Sequence, residues 1–201
     1  MAHYTQSIQN LMNLLASLPG IGTRSAERIA FHLLKQSKEE AMQLAHAIHD
    51  VKTRIKHCSN CYNLTETDPC SICVDTARDQ SLVCIVEQPK DLLALEAAGS
   101  YKGVYHVLLG RIAPLEGVDE SDLTLGAFEQ RLASGAISEV ILGTNPNLDG
   151  DATSLYIQNL LRDRFPSVVV TRLARGLAAG TQIEYANKSV LADALAGRQR
   201  M

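Results

Sequence analysis

The chain has 201 residues, 46% of them apolar, five cysteines and a formal net charge of −3. That length holds one large domain or two small ones around a buried core, and the weakly acidic balance excludes a protein that coats nucleic acid through a general basic surface. No apolar run approaches the roughly eighteen residues of a membrane span, and the opening MAHYTQSIQN lacks the basic and apolar regions of a leader, so a soluble, cytoplasmic protein with no membrane partner is expected.

Residues 1–57 carry seven Lys/Arg against four Asp/Glu, whereas residues 58–201 carry twelve against eighteen. A nucleic-acid surface therefore belongs in the N-terminal part. Apolar positions there recur at helical spacing: Ile8, Leu11, Leu14, Leu15 and Leu18, then Ala26, Ile29, Ala30, Leu33 and Leu34, then Met42, Leu44, Ala45 and Ile48. Three helices follow. The first stops at Leu18-Pro19-Gly20-Ile21-Gly22, where proline disfavours helix in the residue before it and the glycines supply positive φ; the second starts near Thr23, an acceptable N-cap. This glycine hairpin resembles the helix-hairpin-helix motif that grips DNA backbone. Gly20 and Gly22 permit close approach, free N–H groups opening the second helix can bind a phosphate, and Arg24 and Arg28, one turn apart, add charge. The competing reading is a tight helix connection with solvated arginines. A dinucleotide fingerprint fits poorly, because Gly20-x-Gly22 follows a helix and Ser25 stands at the third glycine position; a P-loop is excluded, since no Gly-Lys pair exists.

Residues 57–80 lose the periodicity and hold Cys58, Cys61, Cys70 and Cys73 in the spacing Cys-x2-Cys-x8-Cys-x2-Cys. Each Cys-x2-Cys turn presents two thiolates, and two turns complete a closed tetrahedral S4 site for one structural zinc ion. A redox role would place such a motif at a helix N-terminus beside a βαβ unit, and neither pair is expected there. His57 adjoins Cys58 but four thiolates suffice, and Cys84 reads as a small core residue.

Apolar runs then alternate with helical segments: strand 82–86, helix 89–98, strand 104–109, helix 125–133, strand 139–142, helix 151–165, strand 168–171, and a short helix 189–198. The fold class is α/β plus a small helical domain, with a parallel sheet covered by helices. The working edge of such a sheet lies beyond the strand C-termini. Glu87 follows the first strand, and Asp149 and Asp151 follow the third, in the loop 144–151. A Glu and an Asp-x-Asp from different strands suit Mg²⁺, and the arrangement resembles the Toprim domain of topoisomerases, primases and nucleases. Taken singly, Asp151 reads as a helix cap and Glu87 as a solvated residue. Strand passage needs a placed tyrosine nucleophile and further domains, and priming a separate machinery, for which 201 residues are expected to leave no room. Tyr101, Tyr105, Tyr156 and Tyr185 read as packing or surface residues, and His106, inside an apolar strand, as a core histidine with a hydrogen-bond partner.

Hairpin, cysteines and Toprim in this order resemble the bacterial recombination mediator family RecR, and the likeness extends from about Leu11 to Arg198. Segments 18–28, 86–91, 114–118 (Pro-Leu-Glu-Gly-Val) and 139–146 (Glu-Val-Ile-Leu-Gly-Thr-Asn-Pro) look like the family's own. The resemblance implies a helix-hairpin-helix DNA-binding domain at 1–56, a zinc module at 57–80, a Toprim domain at 81–175 and a C-terminal oligomerisation segment at 176–201. It also implies a non-enzymatic, nucleoid-associated scaffold. Such proteins form tetrameric rings on DNA and act with RecO and RecF at single-stranded gaps to help RecA load. By resemblance Arg24 and Arg28 contact DNA inside the ring, and Glu87, Asp149 and Asp151 bind partners more than they cleave. Two features depart from the family. Asp149 and Asp151 stand where glutamates are usual, which keeps weak Mg²⁺ binding and a Mg²⁺-dependent nuclease among the expectations. Ala178-Ala179-Gly180-Thr181 replaces the usual Pro-x-Gly-Gly.

Overall fold

Helix spacing in the first third of the chain is realised as three helices in the computed structural model, which describes residues 4–198. The chain divides into two units at Ile55 and Lys56. The first holds α1 (Gln6–Ala16), α2 (Thr23–Lys35) and α3 (Lys38–Arg54). Ala26 and Ala30, one turn apart on α2, are fully buried, small enough for two helices to approach closely. Tyr4 packs edge-on against Phe31 and donates to Glu27 at 2.5 Å. α3 begins at a capping box in which Ser37 and Glu40 each satisfy the other's amide. None of its residues is buried. Of the hairpin glycines only Gly20 uses positive φ (80°); Gly22, at φ −83°, is the N-cap of α2, one residue earlier than the cap expected at Thr23.

The second unit starts with β1 (Lys56–His57) and β2 (Leu64–Thr65), a two-stranded antiparallel ribbon, followed by the four-residue α4 (Ser71–Val74). Then come β3 (Asp79–Val86), α5 (Pro89–Ala97), β4 (Gly103–Val107), α6 (Leu125–Leu132), β5 (Glu139–Leu142), α7 (Leu148–Arg164), β6 (Val169–Arg172) and α8 (Lys188–Ala196). The larger sheet is parallel throughout, in the order β4-β3-β5-β6.

Alternation along β3 builds the core. Val83 and Ile85 face one side, with Phe128 and Leu132 of α6 and Ile157 and Leu161 of α7; Cys84 and Val86 face the other, with Leu92 of α5 and Tyr105 and Val107 of β4. Each fully buried aliphatic side chain of this kind contributes about 1.5–3 kcal/mol relative to exposure. From β3 the chain moves outward to β4, then crosses back to β5 on the other side of β3. The C-terminal ends of β3 and β5 therefore flank the switch point where α/β sheets form their crevice. α7 starts at Leu148, three residues before the expected start, because Asn147 accepts the Gly150 amide at 2.8 Å and caps the helix there.

Candidate functional site

Two backbone turns bring the cysteines together. Cys58 and Cys61 flank the turn after β1, where the Tyr62 amide donates to the Cys58 carbonyl at 3.0 Å and Tyr62 takes a left-handed conformation. Cys70 is the N-cap of α4 and Cys73 lies within it, so the second pair does open a helix, contrary to expectation. A helix of four residues has almost no macrodipole with which to tune a redox thiol. The Sγ atoms of Cys58 and Cys73 are 3.9 Å apart and those of Cys61 and Cys70 3.5 Å; all four lie within 4.8 Å of one another. A tetrahedron with Zn–S bonds near 2.3 Å has edges of about 3.8 Å. The Cys70 amide also donates to Cys58 Sγ at 3.3 Å.

Ionisation of all four thiols together needs a cation. The Cys61 thiol hydrogen-bonded to Cys73 pulls Cys73 down to about 6. Cys61 is pushed far up by that same bond and by burial, and Cys70, chiefly by burial, up to about 11. Four thiolates at this spacing repel one another, and Zn²⁺ relieves that repulsion. Geometry and donor set fit one zinc ion. Cys84 is a separate core residue, pushed up to about 12 by burial.

The cysteine module also closes the sheet. β4 is an outer strand, and the Val107 amide donates to the Cys61 carbonyl at 2.8 Å. Tyr62 packs edge-on against His106, with 5.6 Å between ring centroids. His106 is the expected core histidine: fully buried, with Nε2 2.9 Å from Thr124 Oγ1. Tyr105 is buried and donates to Glu96, which Arg78 holds with both guanidinium arms. Tyr101 and Tyr156 are half-buried and Tyr185 is exposed.

In the hairpin, Arg24 and Arg28 are exposed on the first two turns of α2. No side chain caps this helix, and its first backbone bond runs from Ala26 to the Gly22 carbonyl, leaving the preceding amides at the open end. Around the Cβ positions of Gly20 and Gly22 no atom of the described residues lies within 4 Å, so the hairpin surface is bare backbone. Arg28 and His32 line a shallow cleft with Ser25 and Ile29.

The acids sit at the switch point but do not meet. Glu87 is buried, and both its oxygens are taken by Asn145, by the backbone amide at 2.7 Å and the side-chain amide at 2.8 Å; the solvated reading of Glu87 is thereby corrected. Asp149 accepts from Arg111 Nε at 2.9 Å, and Arg111 also reaches Glu116 at 2.9 Å. Asp151 is gripped by both arms of Arg175, with Arg172 at 3.6 Å, and caps nothing. The hydrogen bonds from Arg175 hold its carboxyl below the usual aspartate range. Because α7 starts at Leu148, Asp149 and Asp151 lie in its first turn rather than in a loop. Residues two apart on a helix point about 200° apart. Asp149 thus lines a cleft with Glu87, Lys90 and Arg111, and Asp151 a different one with Leu142, Ser154 and Arg172. Among the described residues, the four cysteines are the one group whose donor atoms converge as metal ligands do. Gly150, between the two aspartates, permits the close packing: a Cβ there would lie 2.0 Å from the Asn145 carbonyl oxygen and 2.8 Å from Glu87 Oε1.

Asn145, Arg111 and Arg175 carry no local sequence signal of these roles. Asn145 lies 58 residues from Glu87, Arg111 lies 38 from Asp149 and Arg175 lies 24 from Asp151, beyond the reach of local pattern.

Comparison with known proteins follows the same order along the chain. The family model for the RecR helix-hairpin-helix matches residues 8–52, that for the RecR four-cysteine zinc finger domain residues 55–75, and that for the Toprim domain residues 81–174. A protein of Rhodopirellula baltica named recombination protein RecR is 52% identical over 201 residues, the whole of both chains. Proteins of the same name from Staphylococcus aureus strains MRSA252 and Newman are 44% and 43% identical over 199 residues, 99% of this chain and all of theirs.

Proposed function

The chain belongs to the RecR family of recombination proteins, and on that footing we propose that it is a DNA-binding scaffold of recombinational repair that carries out no chemistry of its own. The observation that carries this reading is the uncapped start of α2, with bare glycine backbone before it and Arg24 and Arg28 exposed beside it. Amides at a helix N-terminus and two guanidinium groups a turn apart suit phosphates, and such contacts position DNA without reading its sequence. The zinc ion held by Cys58, Cys61, Cys70 and Cys73 is structural, because no coordination position stays open for a substrate. In this proposal residues 1–56 bind DNA, 57–80 form the zinc module, 81–175 the Toprim domain and 176–201 an oligomerisation segment. The chain assembles into a tetramer on gapped DNA in the bacterial cytoplasm. Its acidic Toprim face receives RecO-like and RecF-like proteins and helps RecA load.

Binding to a gapped duplex, followed by fluorescence anisotropy across a salt series with and without a RecO-like protein, tests the reading. Replacing Arg24 and Arg28 by alanine should weaken binding and lower the salt slope by about one for each lost phosphate contact. Unchanged affinity and slope in the double variant would overturn the assignment. The second reading, a Mg²⁺-dependent nuclease using Glu87, Asp149 and Asp151, has less support, because these carboxylates pair with an amide and two guanidinium groups instead of converging. It requires nicking of labelled DNA with Mg²⁺ that disappears in Glu87→Ala.

A further inference from the structure

We infer that Arg111 and Arg175 are built-in counter-ions of the two Toprim aspartates, so that Asp149 and Asp151 anchor the chain segments flanking α7 and hold no divalent cation. Mg²⁺ demands near-octahedral oxygen geometry at about 2.1 Å and, in protein sites, shared carboxylates with retained waters. Here Glu87 and Asp149 share one cleft while Asp151 faces another, so the three acids do not form one set. Glu87 has both oxygens occupied by Asn145, and the aspartates diverge from α7 into separate clefts, each with its own guanidinium. An entering Mg²⁺ would have to displace Arg175 from Asp151, or Arg111 from Asp149 so that Arg111 kept only Glu116.

The two pairs hold different segments. Arg111 follows β4 and joins Asp149 to Glu116, bracing the segment 110–118, whose own Ala113–Val118 bridge closes it into a loop. The backbone amide of neighbouring Ile112 donates to Thr153 on α7 at 2.9 Å, so this loop is tied down at two adjacent residues. Arg175 follows β6 and begins the C-terminal segment. Its grip on Asp151 fixes the chain where it leaves the sheet, and α8 lies against the next residue, with Ala194 atoms 3.5 Å from the Cβ position of Gly176. Asp151 lies below and Arg175 above its ordinary value, each through the hydrogen bonds to the other, as a mutually satisfied pair requires. All four side chains are partly exposed, so the pairs add little to overall stability. What the pairs set is position. Arg175 grips both Asp151 oxygens at once, which an ammonium does not, and Arg111 divides its fork between Asp149 and Glu116.

The test uses the full-length, zinc-loaded protein and needs neither DNA nor partner, so its outcome is independent of the scaffold reading, although it rests on the Toprim assignment. Mn²⁺, substituting for Mg²⁺, is titrated and followed by electron paramagnetic resonance in the wild type and in Asp149→Asn and Asp151→Asn variants. The expected result is the same Mn²⁺ retention in all three. A stoichiometric ion in the wild type that is lost in Asp149→Asn or Asp151→Asn would overturn the inference. Amide exchange then reads the anchors. Arg175→Ala should speed exchange in residues 173–198, and Arg111→Ala in residues 110–118, each by about two- to fivefold. The charge-swapped pair Asp151→Arg with Arg175→Asp should restore protection of residues 173–198, because it rebuilds the ion pair while destroying any cation site. Unchanged exchange in the alanine variants, or a swap as unprotected as Arg175→Ala, would equally overturn the proposal.

Discussion

His106 lies in the middle of β4 with no exposed surface, and its two ring nitrogens have unequal fates. Thr124 gives its hydroxyl proton to the Val107 carbonyl at 2.8 Å, so its oxygen must accept from Nε2–H, which leaves Nδ1 as an unprotonated lone pair. Nδ1 has no partner. Burial and the nearby Arg131 charge lower the imidazole to about 4, while the Tyr62 and Phe128 rings around it supply no counter-charge. The unfolded chain, with its histidine near 6.5, therefore binds a proton that the folded chain refuses. Stability from this group is whole above pH 6.5 and falls as the pH drops towards 4, by roughly 3 kcal/mol at one unit per 1.36 kcal/mol. Urea unfolding of the zinc-loaded wild type and His106→Phe at pH 7.0, 5.5 and 4.5 measures it. The variant should gain on the wild type at each step down, zinc loss being common to both, and a gap independent of pH would contradict the account. The burial of His106 was legible in its apolar strand; the orphan nitrogen was not, because Thr124 stands 18 residues away.

Among the elements, the ribbon of β1 and β2 with α4 does more than hold a metal. An outer strand presents unpaired amides that invite association with other chains. Here the Cys61 carbonyl takes the Val107 amide of β4, and Ile72 packs against both core clusters and the cysteines. Zinc thus holds in place a cap on the sheet. Removing the metal with a chelator should speed exchange of the Val107 amide at least tenfold while Val140, on the inner strand β5, stays protected. Equal protection of both amides in the stripped protein would show that the cap holds without its ion. α7 teaches a related lesson: the segment Asn147-Leu148-Asp149-Gly150-Asp151 looks like a loop by composition, yet Asn147 caps a helix that starts within it. One hydrogen bond to Gly150 moves the boundary and, with it, the directions of both aspartates.

At the scale of the molecule, the proposed tetramer needs a surface between copies, and the unit that ends at Ile55 offers one. There α3 buries no residue, and Leu44, Ile48 and Val51 are 47–60% exposed. Large side chains repeated along one helix are the stuff of interfaces between copies. On the proposed assembly, sedimentation velocity should find a homo-tetramer, and Ile48→Asp with Val51→Asp should shift it to smaller species with the helical circular dichroism intact. A wild-type monomer at micromolar concentration would count against the assembly.

Order along the chain is enough for whatever near neighbours govern: three helices from apolar spacing, an S4 zinc site from two Cys-x2-Cys turns, and a parallel α/β sheet from alternating runs. These features depend on residues within a few turns of one another, where the periods of helix and strand rule. Folding in three dimensions was needed to seal Glu87 with Asn145, to part Asp149 from Asp151, and to close the edge of β4 with the cysteine module. Each of those outcomes joins residues 24 to 58 positions apart, and it is the strand order β4-β3-β5-β6, with the packing of α7 across it, that brings them together.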